Sequence, residues 1–588
     1  MEQEQIVDFS KNFSLLWPEE IDPEQYRDRD LLSNKTISDL GIKQIAEELS
    51  YDDRHYYEVR KMLNSLCDNP QVIKYRLDIL EDFLNNPARL IEGFDEIFEL
   101  IEQIKKYEKP ESKMGNDKLV HTAWRLKMLD IYVQCMNKLT SLLEQTTNIN
   151  SEGLKKLRDF INTLISSADF KNLQQELPEL KEEFDKLTCV TIGINLNARL
   201  EPEEAVFLSV EPQPFQKKSF FSRLFNLDDK DDEFYGVSPL QNIISKDKEY
   251  KAVRQGLFRE LNEIFTEVLT PIGKAISRYV NYREKFLLKM KKELYFYIGA
   301  GRTIKKLQKY GLKMCKPQTR TREARVANIN DLTDLTLALG LIEEEEKRME
   351  RKGKDKSELT IDLSSRIVPN DLEFNDQARI YILTGPNQGG KTTFTRAAGI
   401  AQVLFQAGIY IPGSKAEMSP ADRVYTHFTE QEVPDTRDGR LGKEARRLSR
   451  LFQEASRNSL ILLNESLSST SPGESLYLLK NIVKGLRILG CRVIFTTHLH
   501  ELAENIPSIN QEVKGDSRVK SLVAEVDRKN TGKQSFTARR TFKIVPKPPE
   551  GKSYARDIAQ KYGIGFEQIL ECLDQKDSNN SSDKINQE

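Results

Sequence analysis

The stretch Gly385–Thr392, GPNQGGKT, constrains this chain more than any other. It fits G-x-x-x-x-G-K-[ST], with Thr393 following, and it has the surroundings that pattern needs: the β-rich run YIL before it and the helical run TTFTRAAGIAQVL after it. Gly385, Gly389 and Gly390 let the backbone N–H groups of the loop, through Pro386, Asn387 and Gln388, wrap a phosphate. The helix N-terminus adds positive potential and Lys391 neutralises the β/γ charge. Thr392 is placed to give its hydroxyl to Mg²⁺, with Thr393 beside it. A strand–loop–helix unit of this kind belongs to a parallel-sheet α/β domain. The alternation continues: the runs Ile380–Leu383, Leu460–Leu463 and Val493–Thr496 are short and β-rich, with helical runs between them.

Two further strand ends complete the pattern. LILLNES ends on Asn464-Glu465, a hydrophobic strand delivering a Walker B pair beside the phosphate loop, with Asn in the place of the first acid. Glu465 keeps the position suited to orienting or activating water. VIFTT delivers His498, an imidazole placed to sense a γ-phosphate.

Upstream of Leu359 the texture is different. From Ile37 to Ile104 apolar residues recur at three- and four-residue spacing, as in Ile73, Leu77, Leu80 and Leu84, and the pattern returns over Leu119–Leu143, Leu154–Leu187, Tyr250–Leu312 and Asp331–Met349. Val190–Val210 alternates like strands around an Asn-rich turn, and Lys217–Tyr235 reads as an exposed polar loop. The expected division is an N-terminal extension (1–36), a helical region (37–188), a strand-containing insertion and loop (189–249), a second helical part with linker (250–356), an α/β P-loop ATPase domain (357–573) and a disordered tail (574–588). At 588 residues the chain has room for several cores, about four by length. The 89 basic and 91 acidic residues leave a net charge of −2, so overall charge points to no partner. The six cysteines lie far apart and the five histidines are few, which argues against a disulfide framework or a multi-histidine metal centre. No run approaches the ~20 apolar residues of a membrane helix, and the polar start MEQEQIVDF lacks a signal-peptide pattern. A cytoplasmic protein without a membrane partner is expected.

The blocks GPNQGGKTTF, AGIYIPGSKAEMSPADRVYTHF, NSLILLNESLSSTSPGES, TTHLHEL and GKSYARDIAQKYGI, in that order over Pro369–Leu573, resemble the ATPase domain of the MutS family, which is similar to ABC ATPases. A weaker likeness covers SYDDRHYYEVRKMLNSLCDNPQVIKYRLDIL and ELYFYIGAGRTIKKL, similar to that family's helical core or lever, which makes 37–188 and 250–356 core or lever and the interrupted 189–249 a clamp-like insertion. The resemblance implies ATP and Mg²⁺ as cofactors, Gly385 to Lys391 on the phosphates, and Thr392 with Asn464 (through water) on the metal. It makes Glu465 the catalytic carboxylate and His498 the switch histidine. It also implies that Pro369-Asn370-Asp371 helps bound the nucleotide, that Thr470-Ser471 meets a partner subunit, and that the protein is a homodimer on double-stranded or branched DNA.

Three departures stand out. Asn464 replaces the family's Asp. Glu444 matches a family Glu, which puts Gly439-Arg440 where a trans-acting Ser-Thr signature is expected. The family's mismatch-reading, connector and Smr domains find no counterpart, so a structure-reading rather than mismatch-reading DNA clamp is expected. The alternatives are an ATPase acting on ribosomes or RNA, and an ATP-binding protein with weak hydrolysis. Arg283–Arg325, with fourteen Lys/Arg against three acids, is either a nucleic-acid contact or a helix face neutralised by acids elsewhere, such as Glu343 to Glu346.

Overall fold

The structure is a computed structural model that describes residues 13–26, 31–50, 52–108, 118–185, 189–200, 202–211, 283–355, 359–428, 440–467, 470–529, 537–549, 565–570 and 573. It is multidomain, a large helical region followed by an α/β domain, and it divides into two compact units. One comprises Met1–Asn12, Ala88–Asn148 and Lys155–Lys291; the other comprises Phe13–Pro87, Ile149–Leu154 and Lys292–Glu588.

In the first unit the amphipathic helix Asp95–Glu108 packs on Lys118–Gln145 through Phe94, Ile97, Phe98, Ile101 and Ile104, all buried. The periodic stretch Leu154–Leu187 is not one helix. It breaks at Ser167, whose hydroxyl accepts the Phe170 N–H and so caps a new helix, Ala168–Asp185. The alternating run beyond forms an antiparallel hairpin, Cys189–Leu196 with Pro202–Glu211, turned where the Asn197 side chain accepts the Arg199 N–H. The expected polar loop at 217–235, the helical pattern over 250–282 and the tail 574–588 lie outside the described residues.

The second unit is organised around a six-stranded sheet. In chain order its elements are β1 (Ala378–Thr384), helix α1 (Lys391–Ala407), β2 (Val424–Phe428), helix α2 (Arg440–Glu454), β3 (Leu460–Asn464), helix α3 (Pro472–Leu489), β4 (Arg492–Thr496), β5 (Arg518–Lys529) and β6 (Thr537–Val545). The spatial order is β2-β3-β4-β1-β5-β6, parallel except for the final β5–β6 pair. β1, β3 and β4 are buried at every position, which is why they read as continuous apolar runs rather than alternating ones. On one face Ile380, Ile382, Ile461, Leu463, Val493 and Phe495 pack against Leu448 and Leu451 of α2 and Leu479, Val483 and Leu486 of α3. Each such side chain contributes about 1.5–3 kcal/mol. On the other face lies α1, and Gly399 sets its approach. A Cβ there would come within 2.6 Å of Leu40 and 2.7 Å of Leu462, so any other residue at this position would require those leucine side chains to shift.

A smaller sheet departs from the expected division. Gln318–Thr319 and Ala327–Leu332, which the sequence reading placed among helices, pair with Lys415–Met418 and Asn370–Phe374. Strands of two to six residues show too little periodicity to be told from the helical pattern around them. Among the described residues no helix is long and apolar enough to cross a membrane.

Candidate functional site

The parallel strands end at one level. Asn464 pairs with Thr496, Thr496 with Leu383, and Val523 of β5 with Thr384, so whatever follows β1, β3 and β4 converges on one edge. The phosphate-type loop leaves β1 there. Three of its residues have left-handed backbone: Gly385 (φ 138°), Gln388 (φ 59°) and Gly390 (φ 90°). A side chain on Gly385 would come 2.7 Å from the Ala524 methyl, so the loop lies close on β5, and within it the Gly389 N–H donates to the Pro386 carbonyl at 3.2 Å. Asn387 and Gln388 are exposed at the tip, and the Gln388 amide oxygen accepts from Arg540 at 2.6 Å.

Lys391 opens α1 with its side chain 4% exposed. Its Nζ donates to the carbonyls of Gly385 and Pro386, both at 3.0 Å, so it folds across the cradle. Burial pushes its pKa down to about 8, with Glu465 partly opposing. One residue on, the Thr392 hydroxyl donates to the Asn464 Oδ1 at 3.2 Å. Thr395 anchors the next turn through the Thr496 hydroxyl at 3.0 Å. Thr393 is half-buried in the first turn of α1.

Glu465 leaves β3 in left-handed backbone (φ 57°), its N–H donating to the Thr496 carbonyl at 2.9 Å. Its carboxylate meets the Nε2 of His498 at 2.6 Å, and that hydrogen bond holds the Glu465 pKa below the ordinary carboxylate value. Lys391, Thr392, Asn464, Glu465 and His498 thus gather from three strand ends. The loop after Glu465 is held by residues the sequence reading passed over or gave no contact. The Glu444 carboxylate accepts the Leu467 N–H at 2.6 Å, and the Ser466 hydroxyl meets the Nδ1 of His427 at 2.8 Å. No local motif announces either contact; both join residues more than twenty positions apart.

Of the residues expected to bound a nucleotide, Asn370 is tied into the sheet. Asn370 binds β6 through the Phe542 carbonyl and the Ile544 N–H, fixing the hairpin beside the loop. Phe542 is 46% exposed, and a Cβ on Gly390 would lie 3.7 Å from its ring. Thr470 and Ser471 both donate to Glu474 in a capping arrangement that opens α3. Gly439 and the GKSYARDIAQKYGI block lie outside the described residues; Arg440 is the first residue of α2.

The donor set fits a bound nucleoside triphosphate. The loop combines left-handed glycines at the start of a helix with a buried ammonium that donates to two carbonyls of its own loop, a chemistry suited to phosphate oxygens. It fits Mg²⁺ only with the phosphates' help. Among the described residues there is no group of three or more His, Cys, Asp or Glu able to hold a metal, and Thr392 and Asn464 bring neutral oxygens.

Part of the basic segment is paired with acids. Lys291 is buried against Glu102, Lys306 meets Glu48 and Glu346, and Lys316 meets Asp78 and Glu81. Arg320, Arg322 and Arg325 pair with Glu417, Asp68 and Asp516. These are six of the segment's fourteen Lys/Arg.

Against known proteins, a family model described as MutS2 N-terminal domain matches residues 68–310, and one described as MutS domain V matches 381–570. A DNA mismatch repair protein MutS from Oleidesulfovibrio alaskensis is 30% identical over 218 residues, 36% of this chain and 23% of the relative. One from Prochlorococcus marinus is 28% identical over 222 residues, 38% of this chain and 23% of the relative. One from Chloroflexus aurantiacus is 33% identical over 144 residues, 24% of this chain and 15% of the relative. The chain therefore spans about a quarter or less of the length of these relatives.

Proposed function

The chain belongs to the MutS family and carries that family's ATPase domain, and from this premise we propose that it binds and hydrolyses ATP and uses the cycle to gate a homodimeric clamp on double-stranded or branched DNA in repair or recombination. The observation that carries the reading is the convergence of Lys391, Thr392, Asn464, Glu465 and His498 on one sheet edge. The DNA part rests on the relatives' printed role in mismatch repair.

In this reading the loop amides from Gly385 to Gly390 hold phosphate oxygens, and Lys391 swings from its carbonyls to the β/γ charge. Thr392 and Asn464 hold Mg²⁺, Asn464 through water. When bound, ATP and Mg²⁺ supply the anhydride bond and a cation that offsets charge on its phosphate oxygens. Glu465 orients a water and accepts its proton at a carboxylate oxygen, giving ADP and phosphate overall. His498 holds that carboxylate in place and is the group near enough to respond when the γ-phosphate leaves.

The test combines ATP turnover with binding to homoduplex, mismatched and four-way DNA, each with and without ATP, and with light scattering for the dimer. ATP-dependent binding to any of these DNAs by a dimer supports the reading. Turnover without DNA binding but with co-sedimentation on ribosomes moves it to the ribosomal alternative. A second reading, ATP binding with weak hydrolysis, is favoured by one observation: Asn464 brings no charge to the metal position. Single-turnover rates decide between the two.

A further inference from the structure

We propose that Glu444, with His427 in support, is a positioning residue for Glu465, so that helix α2 sets the orientation of the carboxylate that activates water. The inference rests on the reading of Glu465 given above and adds to it what holds that group.

The segment Glu465-Ser466-Leu467 is unusual in its backbone. Glu465 and Leu467 both sit in left-handed conformation, φ 57° and 58°, where a residue with a Cβ is disfavoured. Such conformations persist only where the surroundings over-determine them. Here four contacts do so. The Glu465 N–H donates to Thr496 of β4, and the Leu467 carbonyl accepts from Ser475 of α3 at 2.7 Å. These two belong to the packed core around the sheet. The other two come from β2 and α2: His427 on Ser466, and Glu444 on the Leu467 N–H.

Glu444 is 7% exposed and lies in the second turn of α2. A buried carboxylate accepting a backbone N–H is a strong, charge-assisted bond. It grips the chain two residues beyond Glu465. His427 is 5% exposed, and among the described residues its Nε2 has no hydrogen-bond partner. Nδ1 is therefore the atom through which it acts. With Nδ1–H donating to the Ser466 hydroxyl, only a lone pair is left unsatisfied in the interior, the less costly arrangement. Neither side chain is on the list of groups that hold phosphate, metal or water. Both act through the backbone that aims Glu465. Displacing α2 would pull on Leu467 first and turn Glu465 with it.

The experiment measures kcat and nucleotide dissociation constants for the whole chain and its variants. Glu444→Ala removes the acceptor and should lower kcat about tenfold to a hundredfold, the size of effect a misplaced catalytic group produces. Nucleotide affinity should stay within about twofold, because the phosphate loop is untouched. Glu444→Gln keeps an oxygen able to accept the Leu467 N–H and should recover most of the rate. His427→Asn keeps a donor near Nδ1 and should exceed His427→Phe in kcat; this pair decides the matter if Glu444→Ala does not fold. Wild-type protein that fails to hydrolyse ATP overturns the function proposed above, and this inference with it. Hydrolysing wild type with an equally fast Glu444→Ala overturns the inference alone. Equal kcat losses in the Ala and Gln variants, or losses in kcat and affinity that simply follow the melting temperature, also overturn it.

Discussion

The two ends of the central sheet each bury a cation, and they do it in opposite ways. At the start of β4, Arg492 is fully enclosed and spends its donors on the carbonyls of Val326, Ser419 and Pro420 and the amide oxygen of Gln402. Burial pulls its pKa down to about 10, so it remains a cation. Around it, Arg325, Arg379 and Arg457 share Asp516. At the other end Lys391 is nearly as deeply buried, but its ammonium holds only two carbonyls of its own loop. One cation is fixed by four acceptors from three separate segments. The other is held by acceptors that a better one can replace. Enclosure alone says little about function; what matters is whether the partners are final.

The sharpest break in that contrast is Lys391→Ala. It should abolish measurable ATP binding without lowering the melting temperature, since Lys391 supports no other segment and its burial costs stability below about pH 8; calorimetric titration checks this. Unaltered affinity would mean that the two cations are equivalent fixtures. Glu465→Gln should bind ATP normally and slow hydrolysis by about 10²–10⁴-fold, the usual cost of losing a general base. Quench-flow turnover measures it, and the variant should accumulate as an ATP-bound dimer. Arg492→Leu should do the reverse: about 3 kcal/mol less stability in denaturant unfolding, because several buried acceptors lose their donor. Its ATP affinity per folded molecule should hold.

Smaller effects follow from protonation and metal. Folding lowers the Lys391 pKa from 10.5 to about 8, so the unfolded chain binds that proton more tightly. The resulting destabilisation is complete below about pH 8 and is relieved as pH rises from there towards 10.5. A bound phosphate favours the charged ammonium, so ATP binding above about pH 8 should take up a proton and weaken as pH rises. Titrations in buffers of different ionisation enthalpy read that uptake directly. Asn464→Asp should lower the Mg²⁺ concentration for half-maximal turnover by a few-fold, a carboxylate accepting more strongly than an amide. An unshifted midpoint would show that Thr392 and the phosphates hold the metal alone.

Much of this was legible in the sequence, for identifiable reasons. The phosphate loop, the strand ends at Asn464-Glu465 and His498, and the buried parallel strands are local patterns, each contained in fewer than ten consecutive residues. The contacts made by Glu444 and His427 are not local, and nothing in their neighbourhoods marks them. The basic run over 283–325 shows the reverse failure. Its charge was plain, but the acids that pair with part of it, from Glu48 to Asp516, are spread along the chain. The strands Gln318–Thr319 and Ala327–Leu332 were hidden because their partners lie beyond residue 369, and pairing of that range leaves no trace in periodicity.

Helix α1 has a consequence of another kind. Its first turn carries Lys391 and Thr392, and its far half carries Gln402 and Gln406, which are tied to the carbonyls of Ser419, Ala421 and Cys67. Seventeen residues make a rod about 25 Å long, fastened at both ends. Gly399 in the middle lets the rod lie close to Leu40 and Leu462. One helix thus spans from the phosphate-type loop to the backbone at Cys67, where the helix Tyr56–Asn64 gives way to Pro70–Asn85. The residues that open the candidate site and those that anchor the helical region belong to a single secondary-structure element, so neither can be repacked without the other.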